Sequence, residues 1–233
     1  MGPTISISNK DDESYHSKEK KVPKIKKETI FLFDWDDTLM CTHFINLKNQ
    51  NLTEDEQYIV NNLGKVVWKF LKKCSEYGKI IIMTNSSEEW MKKTAVNFLK
   101  INEKMFENIK IISTRDKYLK KGIEKSKWKE IALNELLLKY GDKIENLICA
   151  SDSEKDIEVF KNISKENKEI NISTIKFKSK PSPLIMIKEI KYLSNFLYET
   201  IGSNKNYYLI KEKPKNDDFN YSFGSLFDYI FPN

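Results

Sequence analysis

The chain has 233 residues, of which 39% are apolar, 12% aromatic and 32% charged. That allows one good-sized domain with a substantial core and excludes global disorder. Of the net charge of +6, half sits in the first 27 residues, where seven lysines face Asp11, Asp12, Glu13 and Glu19. The remainder is only mildly basic, which argues against nucleic acid as the partner. Cys41, Cys74 and Cys149 lack metal-binding spacing and fit free thiols in a reducing compartment, the cytoplasm with the nucleus as the alternative. No stretch reaches the roughly 18 apolar residues of a membrane span.

In chain order, residues 1–27 show no periodicity and read as a disordered, Lys-rich arm. Met1-Gly2 followed by Ser6 loosely matches a myristoylation site, with Pro3 an awkward neighbour. Thr29 to Phe33 (TIFLF) has the length and continuous apolar character of a strand buried on both faces. A short flap, Leu39 to Gln50, follows. Thr53 then gives a capping signal for a long helix with apolar positions at Ile59, Leu63, Val66, Val67, Phe70 and Leu71, stopped by Gly78. Ile80 to Met83 predicts a second buried strand, residues 88–99 a helix, Ile109 to Ser113 a third strand, and Ser126 to Tyr140 a helix. Asn146 to Ala150 predicts a fourth strand, running into the acidic SDSEKD. Ser173 to Phe177 predicts a fifth, and Pro183 to Tyr198 an amphipathic helix. Such alternation predicts an α/β fold, a Rossmann-like doubly wound parallel sheet in three layers. It occupies residues 28–203. The last stretch, 204–233, has no clear period and is expected to pack on the domain as an aromatic strap through Tyr221, Phe223, Phe227, Tyr229 and Phe231.

Active sites in parallel sheets gather at the carboxyl ends of the strands. Asp34, Asp36 and Thr38 follow the first strand here, Thr84 and Asn85 the second, and Asp152 and Asp156 the fourth. Asp34 and Asp36 share a side of an extended segment and repel each other. A divalent cation removes that repulsion, a hard oxygen-rich site suits Mg²⁺, and Mg²⁺ points to phosphate.

These motifs resemble the haloacid dehalogenase-like (HAD) hydrolase superfamily. Its first motif, a strand ending DxDxT, is matched by Asp34, Asp36 and Thr38. The second, an apolar strand ending in Thr or Ser, is matched by IIIMT with Thr84. The fourth, a strand ending in an acidic pair, is matched by Asp152 and Asp156. For the third, a lysine near a helix start, Lys125, Lys127 and Lys129 compete. Lys129 is preferred because it lines up with Leu133, Leu136, Leu137 and Tyr140 on the apolar face, where a buried lysine needs an anionic partner.

The resemblance implies roles for these residues. Asp34 is the expected nucleophile, forming an aspartyl-phosphate. Asp36 is the expected general acid and base. Asp34, the main-chain carbonyl of Asp36, and Asp152 are expected to hold Mg²⁺, with Asp156 in support or orienting Lys129. Thr84 and Lys129 are expected to clamp the phosphoryl oxygens, Asn85 to add a backbone donor and Thr38 to fix the loop. Asp37 is expected to be a bystander at the turn.

The second acid, Asp36, favours a phosphatase over dehalogenases, which lack it, and over transport ATPases, which carry Thr there. Two departures stand out: Ser151 occupies a position where Gly is usual, and Trp35 follows the nucleophile and is expected to narrow or line the substrate entrance. About 45 residues separate Thr38 from Thr84, too few for a cap domain beside the flap, helix and strand. A capless site suits a large phosphorylated substrate such as a phosphoprotein. The alternatives are a polynucleotide-end or small-metabolite phosphatase and, from another class, a catalytically idle binding module. The last sits poorly with the retention of Asp34, Asp36, Asp152 and Asp156 together.

Overall fold

A computed structural model describes residues 28–208. Six strands form one all-parallel sheet: β1 (Glu28–Phe33), β2 (Lys79–Thr84), β3 (Lys110–Ser113), β4 (Ile144–Ser151), β5 (Asn171–Lys176) and β6 (Asn206–Tyr208), in the order β3-β2-β1-β4-β5-β6. The chain winds from β1 outward to β3, then returns to place β4 on the other side of β1. The β1/β4 boundary is therefore the topological switch point, where α/β sheets open a crevice. Register brings the ends of the strands level: Phe33 lies opposite Ile82 of β2 and Ala150 of β4.

Because strand side chains alternate between faces, each apolar run feeds two cores. Phe31, Phe33, Ile80, Ile82, Ile148 and Ala150 pack on one side with α1 (Thr42–Leu47), α2 (Glu54–Tyr77), α3 (Glu88–Asn97) and α7 (Pro183–Asn195). On the other side, Ile30, Leu32, Ile81, Met83, Leu147 and Cys149 pack with α5 (Trp128–Tyr140) and α6 (Glu154–Glu166), joined by Tyr118 of the short α4 (Thr114–Tyr118). The result is the expected three-layer α/β architecture, with no cap domain among the described residues.

The start of α2 is set by a capping box: Thr53 Oγ1 accepts from the Glu56 N–H at 3.3 Å, and Glu56 Oε2 accepts from the Thr53 N–H at 3.0 Å. Two glycines are demanded by close approach. A Cβ on Gly64 would sit 1.9 Å from the Leu99 carbonyl oxygen, and one on Gly78 would sit 2.2 Å from that of Thr29. Gly78 thus lets α2 turn directly into the sheet beside β1.

Several boundaries differ from the sequence reading. The helix expected from Ser126 begins with a single 3₁₀ turn, Lys125–Lys127, so α5 proper starts at Trp128. The helix expected to end at Tyr198 stops at Asn195 and is followed by the short α8 (Leu197–Thr200). Helix α6, capped by Ser153, is an addition, and the sheet continues past residue 203 through β6, within the span read as a strap. The N-terminal arm and the strap aromatics Tyr221 to Phe231 lie outside the described residues.

Candidate active site

The loop after β1 is wound tightly. The carbonyl of Trp35 accepts from the N–H groups of Thr38, Leu39 and Met40, and Asp37 takes a left-handed φ of 55° that Asp tolerates better than most residues. Asp37 is a turn-former and a cap, since its Oδ1 accepts from the His43 N–H at 2.8 Å in the first turn of α1. Thr38 ties this loop to the end of β4 by accepting from the Asp152 N–H at 2.9 Å.

Asp34 sits on the floor of the crevice, its N–H continuing the β1/β4 ladder to the Ala150 carbonyl at 2.9 Å. Its Oδ2 lies 2.8 Å from Lys129 Nζ, which in turn donates to Asp156 Oδ2 at 2.5 Å. Lys129 is only 4% exposed; Lys125 is exposed on the rim, and Lys127 is exposed and does not line the cleft. Ser151 adds a hydroxyl to the same cluster, donating to Asp156 Oδ2 at 2.7 Å and lying 3.5 Å from Asp34 Oδ2.

One buried ammonium serving two carboxylates leaves the floor electrically unbalanced. Burial pushes the Asp34 carboxyl up to about 6, against the pull of Lys129 and with the further push of Asp156 and Asp36. Burial, and then the nearby charges of Asp34 and Asp37, raise Asp152 to about 7. Lys129 shifts upward because its two carboxylate neighbours outweigh its own burial. Cys41, by contrast, is pushed up to about 12 by burial, which keeps its thiol protonated and inert.

Asp36 stands nearer the mouth. Its Oδ1 accepts from Thr42 Oγ1 at 2.6 Å and Trp90 Nε1 at 3.3 Å, and its Oδ2 accepts from Ser86 Oγ at 2.6 Å and Thr84 Oγ1 at 3.2 Å. Thr84 is fully buried beneath Asp36, while Ser86 and Asn85 line the cleft. The Asn85 side chain accepts from Thr114 Oγ1 at 2.6 Å. An open cleft of about 530 Å³ joins Asp34, Asp36, Lys129, Asp152 and Asp156, with Asn46, Trp90, Arg115 and Lys125 around its edge.

Trp35 does not reach this cleft, contrary to expectation. Its ring is fully buried edge-on to Phe106, and its Nε1 donates to Thr94 Oγ1 at 3.0 Å. The tight turn sends the side chain that follows Asp34 into the core. The tryptophan at the entrance is Trp90, which, with Thr42, Ser86 and Arg115, the sequence reading missed. Ser86 alone carried a signal, as a hydroxyl two residues past the end of an apolar strand.

The family model of the NLI interacting factor-like phosphatases matches residues 29–175, more than half of the chain and all of the segments that build the cleft. The chain belongs to this family. It is accordingly a capless HAD-like phosphatase, a phosphoric monoester hydrolase. No curated protein and no solved structure matches the chain.

HAD-like phosphatases generally use Mg²⁺. Among the described residues no three His, Cys, Asp or Glu side chains converge as a ready-made metal cage. The donors present still suit this ion: Mg²⁺ is usually held by one or two carboxylates, with waters and substrate phosphate completing an octahedron. Asp34 and Asp152 are two such carboxylates, both destabilised as anions, and no hydrogen bond or ion pair among the described residues holds the Asp152 carboxylate.

Proposed function

We propose that this protein is a Mg²⁺-dependent phosphatase that hydrolyses a phosphomonoester through an aspartyl-phosphate on Asp34, on a large substrate such as a phosphoprotein. The observation that carries the reading is the buried Asp34 carboxylate at the switch point, 2.8 Å from a buried lysine, with a second acid two residues on in the same cleft. Asp34 attacks phosphorus while Asp36 protonates the leaving oxygen; Asp36 then takes a proton from the water that hydrolyses the acyl-phosphate. Lys129 and the Thr84-Asn85-Ser86 segment offer cationic and hydrogen-bonding groups for the phosphoryl oxygens, where most stabilisation of this transition state arises. Asp34, the Asp36 carbonyl and Asp152 would hold Mg²⁺, which neutralises phosphoryl charge when bound, and Asp156 orients Lys129.

The open, capless cleft favours a macromolecular substrate. Arg115 and Lys125 at its edge make no ion pair among the described residues and can meet an anionic group beside the phosphoester. A polynucleotide end is the second reading. It is favoured by Arg115 and Lys125 at the cleft edge, which stand in a basic stretch with Lys120 and Lys121. The test is a panel of phosphopeptides, DNA ends, nucleotides and sugar phosphates with and without Mg²⁺. Borohydride reduction during turnover should convert Asp34 to homoserine, detected by peptide mass spectrometry. No Mg²⁺-dependent release of phosphate from any member would overturn the reading, and preference for DNA ends over phosphopeptides would select the second.

A further inference from the structure

A carboxylate two bonds from the backbone turns freely unless something holds it, and the proton-transferring acid of a phosphatase must face the leaving oxygen. Asp36 is held from three directions: by Thr42 in α1, by Thr84 and Ser86 at and just after the end of β2, and by Trp90 in α3. These donors differ in kind. Hydroxyls can donate to a carboxylate or accept from a carboxylic acid, whereas an indole N–H can only donate. The Trp90 contact therefore commits Oδ1 to accepting, while Oδ2 faces the two reversible hydroxyls of Ser86 and Thr84.

Trp90 is itself fixed. Its N–H is capped by Ser87 Oγ at 3.2 Å, and its carbonyl accepts from Thr94 Oγ1 at 2.9 Å. The same Thr94 hydroxyl accepts from the indole of Trp35, whose backbone N–H donates to Asp34 Oδ1 at 2.7 Å. One helix thus ties the nucleophile's neighbour and the proposed proton carrier to a common frame. We propose that Trp90, assisted by Thr42, is a positioning residue that orients the Asp36 carboxylate for proton transfer to the leaving group. The proposal rests on the reading of Asp36 as general acid.

Leaving groups test it, because a strongly basic leaving oxygen needs the acid and a weakly basic one does not. Phenyl phosphate and 4-nitrophenyl phosphate present nearly the same ring to the cleft wall, and kcat/KM reports the phosphoryl-transfer step for both. With the full chain and saturating Mg²⁺, Trp90→Phe should lower kcat/KM for phenyl phosphate about tenfold more than for 4-nitrophenyl phosphate, the size expected for one misplaced hydrogen bond. Thr42→Val should show the same selectivity, which covers the case in which Trp90→Phe fails to fold. Asp36→Asn is the reference: its selective loss should be about 10²-fold or more. If Asp36→Asn is selective but the Trp90 and Thr42 variants lower both substrates equally, the positioning role is overturned while the acid role stands. If Asp36→Asn is itself unselective, the acid role falls and the proposal with it.

Discussion

Asp34 and Asp36 are two residues apart, yet they are held by opposite kinds of neighbour. Asp34 lies on a buried floor where its partner is a charge, Lys129, itself shared with Asp156. Asp36 lies toward the mouth, where its partners are three hydroxyls and an indole, all neutral. A lysine can only donate and so favours the anion against the burial that opposes it, whereas hydroxyls serve both protonation states. The floor suits the proposed nucleophile and the mouth the proposed proton carrier. The same short loop carries both because its turn points successive acids into different surroundings.

The largest effect should come from the floor. Asp34→Asn keeps the shape but removes the proposed nucleophile, and phosphate release should fall by more than about 10⁴-fold; loss confined to tenfold would mean that Asp34 only binds. Next, Lys129→Met strands two buried carboxylates and should cost about 3–5 kcal/mol of stability in urea titrations. A cost under about 1 kcal/mol would show that the floor is solvated and erase the contrast with the mouth.

The floor should also respond to pH and metal. Asp34 and Asp152 rise from 3.8 to about 6 and about 7. The folded state therefore retains protons that the unfolded chain has released. Each group's contribution to stability is full below its unfolded value and is lost as pH rises through the folded value, so metal-free protein should lose stability between about pH 4 and pH 7. Mg²⁺ at a hundred times its Kd should restore about 2.7 kcal/mol at neutral pH, and Asp152→Asn should abolish that gain. Thermal melts with Mg²⁺ or EDTA at pH 5 and 7.5 would show it; a Mg²⁺ effect unchanged in the variant would move the metal elsewhere. The smallest effect belongs to the mouth. Ser86→Ala removes one neutral donor of four and should cost about 1 kcal/mol of stability; a loss matching Lys129→Met would make the two regions alike.

Much of this was legible in the sequence because it follows from periodicity. Strand-length apolar runs place whatever comes next at the sheet edge, which locates Asp34, Thr84 and Asp152 without a structure. Helical spacing puts Lys129 on the buried face of α5, where the structure finds it against Asp34 and Asp156. Helix α6 was harder to see, since its apolar Ile157, Val159, Phe160 and Ile163 are interleaved with Glu158, Lys161 and Asn162 and the helix begins inside an acidic motif. Strand β6 is three residues long and gains its identity only by pairing with β5.

The direction of side chains in turns is a different matter. Nothing in the order of residues says that Trp35 enters the core while Trp90, 55 positions later, reaches Asp36. That outcome depends on the left-handed φ at Asp37, on the docking of α3 through Thr94, and on the packing of Phe106 against Trp35. Local sequence determined which acids stand at the ends of the strands, because a strand's length and alternation are local properties. Only the tertiary structure decided what each acid faces, because its partners come from α1, β2, α3 and α5, which the chain brings together only once the sheet has formed.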